Sequence, residues 1–97
     1  MVIDLSLRNT ALYKGCEIEE VAGRLNLKTP VEEGVTLIGR NIEAIVQAIP
    51  PESRDSVTLT GPMAVWAYLI VFHEVVHSFS EVQYFDGRNA VVLARHG

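Results

Sequence analysis

Residues 56–94 read SVTLTGPMAVWAYLIVFHEVVHSFSEVQYFDGRNAVVLA, and this stretch decides the fold class. Ser56-Val57-Thr58-Leu59-Thr60 alternates at period two, which predicts a strand. Gly61-Pro62 then turns the chain, and proline is tolerated where a helix begins because its missing N–H has no partner there. The run from Pro62 to His77 is apolar on two sides, so it predicts a buried helix rather than a surface one. Glu81–Phe85 and Ala90–Ala94 predict two further strands, and Asp86-Gly87 between them is a hairpin signal.

Toward the N-terminus, Val2–Leu7 also alternates at period two and predicts a strand with one wet face. Asn9, Thr10 and Gly15 belong to a loop. Glu17–Leu25 carries Ile18, Val21, Ala22 and Leu25 at helical spacing, with Glu17, Glu19 and Glu20 near its start, where carboxylates suit the dipole. This predicts a helix that Gly23 weakens. Thr29-Pro30 opens a loop reaching Gly34. Val35–Ile38 predicts a short strand, Asn41 a cap, and Ile42–Ile49 a helix ended by Pro50-Pro51. The expected order is β-α-β-α-β-α-β-β. That is an α/β fold bordering on α+β: a small mixed sheet, helices packed on it, and a C-terminal hairpin.

The chain has 97 residues, enough for one domain spanning 1–97. Apolar residues make up 48% and charged residues 21%, a composition that excludes intrinsic disorder. Eight Lys and Arg face twelve Asp and Glu, which argues against a basic clamp on long nucleic acid. A small domain has much surface for its volume, so this apolar content predicts burial against a second copy. Cys16 is the one cysteine and allows no internal disulfide, as suits a reducing cytoplasm. It reads as a small packed residue rather than a nucleophile. Met1–Arg8 lacks a basic leader, and Asp4 interrupts its apolar residues, so no signal peptide is expected. The longest apolar run, Met63–Phe72, falls short of the ~18–20 residues that span a bilayer. A soluble cytoplasmic protein with no membrane partner is expected.

All three histidines, His73, His77 and His96, lie in the last quarter of the chain. His73 and His77 are four apart on the expected helix and share a face. With Glu74 they spell H-E-x-x-H, the pattern in which two histidines bind zinc and the glutamate activates water. A small zinc hydrolase is therefore one reading. The bland alternative is two histidines at a helix end. A third reading joins the helix end, the hairpin turn and the chain end at one edge of the sheet. There Gly61 and Pro62 would offer helix N-terminal amides, Asp86 a carboxylate, Arg88 a guanidinium and the histidines imidazoles. Those groups suit a phosphodiester: arginine and amides bind its oxygens, imidazole moves protons, and imidazole with carboxylate holds a metal. Asp before Gly is more often a turn residue than a catalyst, and a hairpin-tip arginine is usually solvated.

Gly61-Pro62-x-x-x-Trp66-x-Tyr68, the helix-end histidines, Tyr84-Phe85-Asp86-Gly87-Arg88 and Ala90-Val91-Val92 running to His96 together resemble a known family. The chain is similar over residues 35–97 to the small manganese-dependent ring nucleases of type III CRISPR systems, which cleave cyclic tetra-adenylate. Residues 1–34 form an additional N-terminal segment. The family's arginine in the turn before the helix is missing here, and its Asp-Pro-Arg is Asp86-Gly87-Arg88. The resemblance implies a phosphodiesterase that linearises cyclic oligoadenylate and so switches off antiviral signalling, with short linear RNA as a further substrate. It implies catalytic roles for His77, Asp86 and Arg88, ligand binding at Gly61 and Pro62, and metal binding at His73, His77 and His96, with Mn²⁺ as cofactor. Counting from Trp66 instead leaves His73 and His77 both open as the active histidine. The family forms homodimers, and two dimers enclose the ring as a tetramer. Attack on phosphorus by the ribose 2′-hydroxyl and attack by a metal-bound water both fit these residues. A non-catalytic cyclic-nucleotide sensor is the competing class, and the zinc hydrolase stays open beside it.

Overall fold

Alternate residues of Ser56–Thr60 are buried: Val57 and Leu59 are enclosed, while Ser56, Thr58 and Thr60 are only half-buried. The same alternation buries Val82 within Glu81–Phe85 and Ile3 within Val2–Asp4. The sheet therefore has one face that packs and one that stays open. The computed structural model describes residues 1–96, and Gly97, the last residue of the expected domain, lies outside the described residues.

The elements are β1 (Val2–Asp4), β2 (Ile18–Val21), β3 (Arg24–Leu27), α1 (Val31–Gln47), a 3₁₀ turn (Pro51–Ser53), β4 (Ser56–Thr60), α2 (Val65–Val76), β5 (Glu81–Phe85) and β6 (Ala90–Arg95). β1, β4 and β5 run parallel, β6 closes the sheet antiparallel, and the spatial order is β1-β4-β5-β6. This is the expected α/β class: a mixed sheet, packed helices and a C-terminal hairpin. Both parallel crossovers step the same way across the sheet, and right-handed crossovers of that kind put both helices on one face. Accordingly α1 and α2 pack on each other. Ile38, Ile42 and Val46 of α1 and Ala67, Val71 and Val75 of α2 join Ile3, Val57, Leu59 and Val82 in a single core. Because the crossovers never reverse, the sheet has no switch-point crevice of the doubly wound kind.

Three expected elements differ from the sequence reading. The expected helix Glu17–Leu25 is the hairpin β2–β3, paired Ile18↔Leu27 through Val21↔Arg24. Its tip is Ala22-Gly23, with φ of 51° and 79°. Two consecutive left-handed residues make the kind of turn that matches strand twist. Leu25 and Leu27 carry the period-two signal, which the helical spacing of residues 18–25 masked. The threonine of Thr29-Pro30 closes the hairpin's open end, its Oγ1 accepting from Glu17 N at 2.6 Å.

The expected strand Val35–Ile38 and helix Ile42–Ile49 are instead one helix, α1. Pro30 precedes its first turn, and Glu32 and Glu33 lie in that turn, favourable to the dipole. The β-branched run Val35-Thr36 suggested a strand. A stripe of buried residues at Gly34, Ile38, Ile42 and Val46, four apart, overrides that propensity by packing on α2. Asn41 is thus no cap; its amide donates to the carbonyls of Leu12 and Lys14 at 2.8 and 2.9 Å, pinning the loop after β1 onto α1.

Candidate functional site

The parallel strands end together at Asp4, Thr60 and Phe85, and this carboxyl edge is built by short-range chemistry. Leu5 N donates to Thr60 O at 2.7 Å, and Thr60 Oγ1 donates to Phe85 O at 2.9 Å. Gly61 follows with φ of 103°, and an added Cβ would lie 2.3 Å from Asp4 Oδ1. Only glycine permits both the conformation and the approach. The Tyr68 hydroxyl donates to Gly61 O, fastening the turn to α2. Burial pushes the Tyr68 phenol up to about 12, with the neighbouring Tyr84 phenol and Asp4 adding to the shift, so it stays a neutral donor.

Asp86 begins the β5–β6 loop. Its Oδ1 accepts from the backbone N–H groups of Arg88 and Asn89, each at 2.8 Å. Those two amides, Asn89 first, hold its carboxyl below the usual aspartate range. The turn-residue reading is therefore correct for one oxygen. Oδ2 makes no hydrogen bond among the described residues, and it remains an acceptor for a ligand. Gly61, Pro62, Asp86 and Gly87 line one recess of about 350 Å³, with Thr60 and Tyr84. Arg88 sits on the same loop, exposed and outside the ion pairs among the described residues.

The histidines lie at the opposite edge. α2 runs antiparallel to β5 through its crossover, so its C-terminal end, capped at His77, meets the amino ends of the strands. His73 and His77 do share a face: their rings stand edge-to-face with centroids 5.2 Å apart. His96 follows β6, and its N–H donates to Ser80 O at 2.6 Å. His77 and His96 line a second recess of about 350 Å³ with Ser78 and Ser80. The expected meeting of helix end, hairpin turn and chain end at one edge does not occur within one copy. Five-residue strands separate the two groups by roughly 17 Å.

No group of three or more His, Cys, Asp or Glu placed to hold a metal ion is present among the described residues. One copy thus offers His73 and His77 as an imidazole pair, short of a full ligand set for zinc or manganese. Cys16 is half-buried, and burial raises its thiol above the usual range. No described helix is long and apolar enough to cross a membrane.

The chain matches no protein-family model, no curated protein and no solved structure.

Sequence reading missed two arginines. Arg8, in the loop after β1, and Arg24, at the tip of the β2–β3 hairpin, line a common recess with Pro62. No local pattern marks them. A hairpin taken for a helix places Arg24 elsewhere, so only the correct fold finds the pair.

Proposed function

We propose that the chain is a phosphodiesterase that binds and linearises cyclic oligoadenylate, with cyclic tetra-adenylate as the expected ring, and so ends type III CRISPR signalling in the cytoplasm. The observation that carries the reading is the convergence of Gly61, Pro62 and Asp86 in one recess, from segments distant in sequence, with Arg88 on the same loop. These residues are among those that carry the family resemblance. A phosphodiester there meets a guanidinium, an ionised carboxylate oxygen and a glycine turn that allows close backbone approach. Arg88 stabilises charge developing on phosphorus oxygens. Asp86 accepts a proton-bearing partner through Oδ2. Attack on phosphorus comes from the ribose 2′-hydroxyl, which expels the 5′-oxygen as a protonated hydroxyl and leaves a 2′,3′-cyclic phosphate, or from water, which breaks one P–O ester bond and leaves a phosphomonoester and a hydroxyl.

The imidazoles that move protons come, in this reading, from a second copy. β6 is an edge strand, and Val91, Val92 and Leu93 are exposed at 49%, 45% and 48%. Beside it α2 exposes Val65 and Leu69, and the two elements flank an apolar groove of about 510 Å³. An unpaired apolar edge of this kind seeks a partner strand. Antiparallel pairing of β6 with β6 of a second copy sets Asn89 of one beside His96 of the other. It thereby carries the Asp86–Arg88 loop of one copy to the histidine edge of its partner. Manganese dependence belongs to the same proposal, with His73, His77 and His96 as its candidate ligands across such an assembly.

Incubation with cyclic tetra-adenylate and Mn²⁺, followed by chromatography, tests the reading. Linear product that disappears in Asp86→Ala and Arg88→Ala supports it. A second reading, binding without cleavage, is favoured by the lack of a histidine in the Asp86 recess of a single copy. Tight binding of the ring with no linear product under any divalent metal establishes that reading instead.

A further inference from the structure

Arg8 and Arg24 belong to the N-terminal segment that has no counterpart in the family pattern, yet the fold brings both to the carboxyl edge of the sheet. Together with Ser6, Gly23, Pro62 and Met63 they line a recess of about 340 Å³. Both arginines are exposed, and the ion pairs among the described residues are Lys28–Glu19 and Arg95–Glu81, so neither is neutralised by a carboxylate. Asp4, which ends β1 on this edge, is already engaged: its Oδ1 accepts from Ser6 N at 2.8 Å and its Oδ2 from Ser6 Oγ at 2.9 Å. Pro62 lines this recess and also the one holding Gly61 and Asp86, so the two are adjacent across a single residue.

We propose that Arg8 and Arg24 form a second phosphodiester-binding station, adjacent across Pro62 to the recess that holds Asp86. Each recess has the volume of a small-ligand site. Two exposed arginines lining one concave surface favour an oxyanion, and an oligonucleotide supplies phosphates at regular spacing. The inference rests on the proposed function for its ligand, a string of adenylates, but the anion site is testable without it. Arg8 and Arg24 here are binding residues, not catalytic ones.

The test measures binding of cyclic and linear tetra-adenylate to the intact protein at two salt concentrations. Arg8→Ala and Arg24→Ala each weaken binding about tenfold, and each lowers the salt slope by about 0.7, the single-strand value per phosphate contact. Arg8→Lys and Arg24→Lys keep the slope and lose part of the affinity, since lysine supplies charge without the fork. Melting temperatures stay unchanged because both side chains are exposed. If wild type binds and cleaves the ring while the double alanine variant matches it in affinity and slope, this inference falls and the proposed function stands. If wild type binds neither form, the proposed function falls, and titration with inorganic phosphate decides the station. Phosphate-induced shifts of the Arg8 and Arg24 Nε–H resonances, with the Arg8 shift lost in Arg24→Ala and the Arg24 shift lost in Arg8→Ala, then support it as a free-phosphate site, and their absence in wild type overturns it.

Discussion

At Gly61 two constraints meet in one residue, a φ of 103° and a Cβ position 2.3 Å from Asp4 Oδ1. Gly61→Ala is expected to destabilise the fold by roughly 1–3 kcal/mol in urea titration. Removing the obstructing carboxylate in Asp4→Ala/Gly61→Ala restores part of that loss, whereas a cost independent of Asp4 assigns it to the backbone conformation and to the Ser6 and Leu5 nitrogens, 3.0 and 3.1 Å from the added Cβ. Asp86 makes a different prediction, in pH. Its folded-state pKa lies below its unfolded value, so its stabilising contribution is complete above the ordinary range near 3.9 and lost as pH falls through the folded value. The amide resonances of Arg88 and Asn89, which donate to Oδ1, should titrate with a midpoint below 3.9, and Asp86→Ala should abolish that titration. A midpoint at or above the ordinary value contradicts the loop geometry. The turn and hairpin signals of both residues were legible in sequence because they depend on nearest neighbours. That Asp86 spends one oxygen on its loop and keeps the other free was not, since it requires the loop's actual path.

At the scale of elements, α1 ends without a basic residue in its last turn. Arg54, seven residues beyond Gln47, reaches back instead: its Nε donates to Ile49 O at 2.9 Å and an Nη donates to Val46 O at 3.2 Å. A cation there satisfies carbonyls and opposes the negative end of the dipole. Arg54→Ala should cost about 1–2 kcal/mol by thermal melting, with early hydrogen exchange confined to the C-terminal turn of α1. Uniform exchange across the domain would show that the contact is not local. The same helix shows why its identity escaped the sequence. Val35, Thr36 and Ile38 favour strand by side-chain shape, yet Gly34 lies so close to α2 that an added Cβ would sit 3.1 Å from the Trp66 ring. Close packing of two helices outweighs a few tenths of a kcal/mol of propensity per residue.

For the whole molecule, the decisive surface is the β6 edge with the outer side of α2. Val92→Lys and Leu93→Glu should each convert an assembly into monomers by light scattering while melting within a few degrees of wild type. Wild-type protein that stays monomeric across concentrations removes the basis for a site shared between copies. Activity offers a sharper test. Asp86→Ala and His77→Ala, each inactive alone, should recover activity on mixing, because a mixed pair contains one site with both wild-type partners. No recovery, with mixed assembly demonstrated, places all catalytic groups within one copy and contradicts the shared site.

The strand-helix-strand-hairpin unit of residues 56–95 was legible in sequence because each signal is local: period-two alternation, a Gly-Pro turn, a long apolar run and an Asp-Gly hairpin. The apolar excess led to the expectation of a partner surface, and five of the exposed apolar residues, Val65, Leu69, Val91, Val92 and Leu93, lie on α2 and β6. Tertiary structure alone decided the rest. Residues 17–25 satisfied two periodicities at once, and the hairpin prevailed because two left-handed residues fit its tip. The clustering of Asp86, Arg88 and the histidines near the end of the chain gave no hint that a strand's length divides them. Sequence proximity measures distance along the chain, whereas a β-strand carries its two ends to opposite edges of the sheet, and Arg8 and Arg24 reach Pro62 by the same rule working in reverse.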